Sequence, residues 1–378
     1  MPLLQTHRRY LGAIILALLV LVMFGSLVPD PLGPPRPFTW ARGKTAFIDR
    51  ANALSRAISD YASGNFGYSR SMPYLRGFIG NVFNSSNHPN VYYGRNKRLY
   101  FNGDNNVGQS SGSVYRQVAV EHFADVADAM RRTLAASGGE LVVMVPPNSQ
   151  SMPSKDLPAW WRISGPLEYD FAMRELQRRG VTTIDLKAAF AAMPDVDNLY
   201  LRTDSHWRQR ASLLAYNMAM QAIGHAEWSL DPATTLGPLA PVPPGDLAHM
   251  LAMSDLFSDS DYALNLPQLA SAWKPVDAFR SPPFQGRFVP YALERAPDGV
   301  GIIVLGDSFT SDFWRPLLLR SGAARIGWMH FALCSFDFSD LERFRPNYVI
   351  IAPTERFMPC PPTNWPKGLS RDGTWASK

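Results

Sequence analysis

The chain has 378 residues, 46% of them hydrophobic and 18% charged, which is enough to bury a sizeable core in one large domain or two ordinary ones and excludes a disordered chain. The formal charge is +5, but Lys and Arg are scattered and no basic run marks a nucleic-acid-binding surface, so only a weak attraction to an anionic ligand or membrane surface follows. Cys334 and Cys360 are the only cysteines; two cannot build a four-cysteine metal site or a disulfide framework, and they suit either one disulfide or two buried thiols.

Arg8 and Arg9 precede Leu11–Val28, an uncharged run of 18 residues that as a helix reaches roughly 27 Å, just the thickness of a bilayer core. No clear small-x-small cleavage site follows, and Pro29-Asp30-Pro31 breaks the helix, so an uncleaved signal anchor over residues 10–29 is expected in preference to a removed signal peptide. Positive charge before the span places residues 1–9 in the cytoplasm and everything after about residue 30 beyond the membrane, in a bacterium the periplasm. No second run approaches this length, so any membrane chemistry must come from a partner.

Pro- and Gly-rich residues 29–45 read as a linker, and Ala46–Ser63 has amphipathic helical spacing. "YYGRNKRLYF" (Tyr92–Phe101) reads as a hairpin and Asn102–Ser113 as a polar loop. Helix is then expected over Val114–Ala136, a buried strand at "ELVVMVPP" (Glu140–Pro147), helix over Pro166–Arg179, a strand at "VTTIDL" (Val181–Leu186), and a helix opened by "DSHW" and running to Ile223. A Pro-rich irregular stretch continues to about residue 299, followed by a strand at 300–305, helix 309–320, and strands at 325–331 and 347–352. Strands alternating with helices predict an α/β fold, a mainly parallel sheet covered on both faces, over residues 113–360; residues 30–112 form a lead-in and 361–378 a tail.

In such sheets ligands bind at the carboxyl ends of the strands. "GIIVLGDSFT" (Gly301–Thr310) puts Ser308 at one of those ends, on a short turn that aims its hydroxyl and backbone N–H groups into the cleft. Ser308 can be a nucleophile there or simply begin the helix. "LYLRTDSHW" (Leu199–Trp207) supplies the missing base: Asp204 and His206, two residues apart in a loop, can face one cleft, with His206 taking the serine proton and Asp204 fixing the imidazole. Capping by Thr203, Asp204 or Ser205 is the plainer alternative for this segment alone.

"GDSF" together with "RTDSHW" resembles the SGNH-hydrolase-like O-acetyltransferases of bacterial exopolysaccharide secretion, the AlgJ/AlgX type, in which the Asp/His block precedes the Ser block in circularly permuted order. "YYGRNKRLYF", "VVMVPPN", "GDLAHML" (Gly245–Leu251) and "PTERF" (Pro353–Phe357) also resemble pieces of that family. The resemblance implies an SGNH-hydrolase-like (flavodoxin-like) fold preceded by one transmembrane helix, with Ser308 as nucleophile, His206 as base and Asp204 as its orienting partner. It further offers Asn148 as an oxyanion-hole donor or else a turn residue, Glu355 and Arg356 as cleft residues or else an exposed ion pair, and Trp207 as a sugar-contacting residue or else part of the core; Asp307 is expected to brace the turn. The implied activity is acetyl transfer through Ser308 onto hydroxyls of an alginate-like or other exopolysaccharide, with no soluble cofactor and no metal. Acetyl would be relayed outward by a multi-spanning membrane O-acyltransferase, while the chain stays in the inner membrane through its one helix. The same three residues would equally serve an acetylesterase, and a non-catalytic polysaccharide-binding scaffold is the alternative from another class.

Overall fold

A computed structural model describes residues 10, 12–17, 20, 24, 29–30, 38, 47–67, 71–83, 85–86, 88–269 and 272–372. They fall into two compact units, residues 1–87 with 249–253 and residues 88–248 with 254–378. In the first, the helices Phe47–Asn65 and Ser71–Phe83 are the main elements. Asp30 begins the second of them from a distance, accepting from the Ser71 N–H at 3.0 Å and the Ser71 hydroxyl at 2.6 Å. The expected membrane span, Leu11–Val28, lies largely outside the described residues; residues 12–17 are helical and exposed. Among the described residues no helix is long and apolar enough to cross a membrane, so a transmembrane helix is not part of the described fold.

The second unit is built on a seven-stranded sheet. Its strands are β3 (Glu140–Met144), β4 (Thr182–Ile184), β7 (Lys274–Pro275), β8 (Tyr291–Glu294), β9 (Gly301–Gly306), β10 (Arg325–His330) and β11 (Tyr348–Ala352), in the order β4-β3-β11-β9-β10-β8-β7. The first five in that order run parallel, while β8 and β7 extend the β10 edge antiparallel. The sheet is therefore mixed. Every residue of β9 is buried, as a central strand covered on both faces requires. Its side chains alternate: Ile303 and Leu305 join Phe123, Met130 and Leu134 of the helix Gln117–Ala135, whereas Ile302 and Val304 join Tyr216 and Met220 of the helix Gln209–Ala222 and Trp314 of the helix Ser308–Leu318. The hairpin is β1 (Val91–Tyr93) against β2 (Leu99–Phe101).

Several expectations change. The Pro-rich stretch to residue 299 is not irregular throughout, since it holds β7, β8 and the antiparallel pair β5 (Leu236–Val242) and β6 (Asp259–Leu264). Proline can sit in β5 and β7 because both lie at edges, where a missing N–H is tolerated. The polar loop after β2 contains the short helix Asn106–Ser111, and β4 ends early because Asp185 caps the helix Leu186–Ala191 by accepting from the Ala188 N–H at 2.9 Å. The helix following "DSHW" starts only at Gln209, with Arg208 at its N-cap and no side-chain cap. Thr203, Asp204 and Ser205 do not cap it.

Cys334 and Cys360 form a disulfide with a Cα–Cα distance of 5.6 Å, joining the loops that follow β10 and β11. It closes a loop of 26 residues, so the double variant Cys334→Ala/Cys360→Ala is expected to lose roughly 3 kcal/mol of stability through the freer unfolded chain. Urea unfolding followed by tryptophan fluorescence checks this; an unchanged midpoint would contradict it.

Candidate active site

The strand β9 runs into Gly306, Asp307 and Ser308. A side chain at Gly306 would collide with Thr310 Oγ1, so the turn needs glycine there. Asp307, 1% exposed, holds the turn with both oxygens: Oδ1 accepts from the Phe309 N–H at 3.0 Å, and Oδ2 accepts from the Thr354 N–H at 2.7 Å and the Thr354 hydroxyl at 2.6 Å. That carboxylate ties the end of β9 to the end of β11 and leaves Ser308 as the first residue of the helix Ser308–Leu318, where helical N–H groups and the helix dipole favour negative charge.

The Ser308 hydroxyl lies 2.8 Å from His206 Nε2, and His206 Nδ1 lies 2.6 Å from Asp204 Oδ1. The structure thus brings together the three residues singled out in the sequence. Burial pushes the Asp204 carboxyl up, but the hydrogen bond and charge of His206, with the N–H groups of Asp246 and His206, outweigh it and hold the group below its ordinary value. Asp204 is therefore a carboxylate at neutral pH and can only accept. Nδ1 must carry the imidazole proton, which leaves Nε2 to accept from Ser308. The imidazole rests against Phe309 and Phe313, with ring centroids 5.0 and 6.1 Å away.

The loop carrying Asp204 and His206 is closed at its base, where Tyr200 bridges Trp207 and the Leu201 N–H donates to the His206 carbonyl at 3.2 Å. Two aspartates pin it from distant parts of the chain. Asp246 accepts from the Ser205 N–H at 2.8 Å and the Ser205 hydroxyl at 2.6 Å, and Asp259 Oδ2 accepts from the N–H groups of Arg202 and Thr203 and from the Thr203 hydroxyl, each at 2.8 Å. The Asp246 N–H donates to Asp204 Oδ2 at 3.0 Å, and a side chain at Gly245 would collide with Asp204. These contacts assign "GDLAHML" a role that its sequence alone did not reveal. Asp204, His206 and Asp246 also place ligand-type atoms within 4.8 Å of one another, but the atoms facing each other are already paired by these hydrogen bonds, and the arrangement is that of a proton-transfer array.

The remaining sequence-predicted residues behave differently. Asn148 is buried; its side-chain amide donates to Gln109 Oε1 at 3.3 Å and Ser110 Oγ at 3.1 Å, and its backbone N–H donates to Glu355 Oε2 at 2.8 Å. Glu355 is buried as well, and desolvation pushes its carboxyl up against the pull of Ser151 and the Asn148 N–H. Arg356 is not half of an exposed ion pair with it. The guanidinium is buried among the rings of Phe101, Phe309 and Phe357, 5.4, 5.1 and 5.2 Å from their centroids, with no hydrogen bond from its Nε. Desolvation pushes its pKa down, opposed by Asp307, Asp246 and Asp104. Trp207 offers no face to a sugar: it is fully buried against Phe309 at 5.1 Å and Phe190 at 6.5 Å, because the bridge at the loop base turns it inward.

Sequence reasoning missed Asp246, Asp259 and Thr354, whose roles depend on partners more than forty residues away. If Asp246 positions the loop, Asp246→Ala removes two hydrogen bonds from Ser205 and should cost about 1–3 kcal/mol of stability while lowering the rate on a small acetyl ester at least about tenfold. Thermal unfolding and ester hydrolysis measured on one preparation check both, and wild-type values for each would remove Asp246 from the site.

Residues 94–278 match the family model described as the SGNH hydrolase-like domain of acetyltransferase AlgX. Solved structures similar to this chain include the O-acetyltransferase domain of Pseudomonas putida AlgJ, with 18% identity and a TM-score of 0.46 over 72% of this chain and 92% of that one. Bacillus cereus PatB1 in its sulfonyl adduct gives 14% and 0.49 over 73% and 97%, and Pseudomonas aeruginosa AlgX gives 15% and 0.42 over 70% and 61%. No protein of curated function matches the chain. The matched span contains Asp204, His206 and Asp246 and ends before Ser308, which joins them through the fold. Residues 94–278 are thus similar to the SGNH hydrolase-like domain of the AlgX-type acetyltransferases.

Proposed function

We propose that this chain O-acetylates a secreted exopolysaccharide through an acetyl-serine at Ser308. The observation that carries the reading is the continuous hydrogen-bonded path Asp204–His206–Ser308 at the carboxyl end of β9. In the first half-reaction the Ser308 Oγ attacks the acetyl carbonyl of the donor as His206 Nε2 takes its proton. Collapse of the tetrahedral species expels the donor's leaving group, which takes that proton back. In the second half, a sugar hydroxyl gives its proton to His206 and attacks the acetyl-serine, and Ser308 leaves with the proton. The Ser308 N–H at the helix N-terminus is placed to stabilise the oxyanion in both halves.

Water competing with the sugar would make the same residues an acetylesterase, and product analysis with and without a sugar acceptor separates the two readings. The apolar run Leu11–Val28 supports an inner-membrane anchor with the remaining chain in the periplasm. Acetyl-CoA is cytoplasmic, so a membrane-bound O-acyltransferase is the proposed source of acetyl groups, and the anchor would raise the local concentration of the two partners.

Ser308→Ala should abolish acetylation of the polymer in cells while leaving the fold intact, and Asp204→Asn should lower the rate by roughly a thousandfold or more because the amide stabilises the wrong imidazole tautomer. Mass spectrometry of the polymer checks both; wild-type acetylation by Ser308→Ala would leave only a scaffold role. A fragment beginning near Pro37 and exported by a cleavable signal should hydrolyse a small acetyl ester normally yet acetylate the polymer poorly. Equal polymer acetylation at matched expression would sink the relay partner and spare Ser308.

A further inference from the structure

A cavity of about 700 Å³ opens at the carboxyl end of β10, one strand away from the nucleophile. β9 and β10 are parallel neighbours, and His330 pairs in register with Gly306, two residues before Ser308. His330 lies on the same sheet face as Trp328, whose indole N–H donates to Thr310 Oγ1 at 2.9 Å in the first turn of the Ser308 helix. The cavity therefore belongs to the same edge of the sheet as Ser308, on the flank opposite β11 and Arg356.

Its lining has a defined chemistry. The turn around Gln285 and Gly286, both at positive φ, closes a bridge between Phe284 and Phe288 and sends both rings onto the imidazole of His330, with centroids 4.0 and 4.9 Å away. That turn is held in place where the Arg280 and Ser281 N–H groups donate to the buried Asp340 carboxylate at 3.0 and 3.1 Å. The Ala332 N–H donates to His330 Nδ1 at 2.9 Å, so Nδ1 must be an acceptor and the single ring proton sits on Nε2. Burial keeps the ring neutral, pushing its pKa down to about 4 against the pull of Asp307. Nε2–H is thus a fixed donor with no hydrogen bond to a described residue. Of the cations lining the cavity, Lys367 is paired with Asp337 and Arg343 with Asp340, whereas the Arg280 side chain has no such partner among the described residues. Apolar ring faces beside a directed neutral donor, with a cation at the rim, suit a pyranose: C–H faces pack on the rings while a hydroxyl or ring oxygen accepts from the donor.

We infer that this cavity is a saccharide subsite for the acceptor polymer, in which His330 Nε2–H donates to a sugar oxygen beside Phe284 and Phe288, holding a unit next to the one whose hydroxyl reaches Ser308. Arg280 at the rim favours a carboxylated sugar over a neutral one. The inference rests on the polysaccharide reading of the Ser308 site, but it can stand or fall by itself because binding here needs no acetyl transfer.

The test uses the full chain in detergent with oligouronates and neutral gluco-oligosaccharides of increasing length as probes, reading binding by calorimetry, acetyl transfer from a small ester, and ester hydrolysis without acceptor. His330→Asn keeps an acceptor for the Ala332 N–H but cannot reach the Nε2 position; His330→Gln restores a donor there. Loss of one such hydrogen bond corresponds to about tenfold in affinity. His330→Asn and Phe284→Ala should weaken binding and raise KM about tenfold for the longer oligomers only, His330→Gln should recover most of that, and ester hydrolysis should stay within about twofold of wild type. Tighter binding of oligouronates should fall to the neutral level in Arg280→Ala. If Phe284→Ala does not fold, the two His330 variants still decide. Wild type that binds neither probe, or His330→Asn that binds as wild type does, overturns the subsite. Binding that depends on His330 in a protein that transfers no acetyl group to sugar would keep the subsite and fail the acetyltransferase reading.

Discussion

The Asp307 carboxylate is the constraint on which the site depends. One oxygen stops the β9-to-helix turn from unwinding and the other holds the β11 loop at Thr354, so the nucleophile and the segment carrying Glu355 and Arg356 are fixed by a single buried group. Its polar needs are met by hydrogen bonds from the Phe309 and Thr354 N–H groups and the Thr354 hydroxyl, as a buried carboxyl requires. Ser308 inherits its position from that arrangement. The disulfide from Cys334 to Cys360 braces the loops on either side.

His206 and Asp204 are held on the same principle by different groups. Asp246 and Asp259 are carboxylates that accept two and three hydrogen bonds respectively from one short loop, turning a segment without regular structure into a rigid mount. A flexible loop would let His206 drift, and small displacements of a base are costly in rate. The array is thus preorganised from both sides: the serine by the sheet and helix, the imidazole by a loop pinned to residues around 246 and 259.

Much of this was readable from the chain because the informative signals are local. The runs at Glu140–Met144, Gly301–Gly306 and Tyr348–Ala352 are apolar without alternation, the mark of strands buried on both faces, and the two short motifs with Ser308 and His206 sit where such strands and loops deliver side chains to a common edge. What escaped was non-local. β7 and β8 are short strands near prolines, and the pairing of β8 with β10 and of β7 with β8 has no periodic signature; Asp246, Asp259 and Thr354 look like ordinary polar residues until their distant partners are known. Trp207, open in the sequence to either sugar stacking or the core, lies in the core because the bridge from Tyr200 buries it. Glu355 and Arg356 lie near the site but apart in role: the glutamate holds Asn148, and the arginine lies among three rings.

In the proposed reaction acetyl passes through Ser308. The direct measurement is rapid quenching of the protein with an activated acetyl ester before acceptor is added, followed by peptide mass spectrometry and then by chase with oligosaccharide. One acetyl group is expected on the peptide containing Ser308, formed at a rate fast enough for turnover and discharged onto sugar in the chase. Acetylated sugar accumulating at the wild-type rate with no acetyl on that serine, or with the label on another residue, would contradict it.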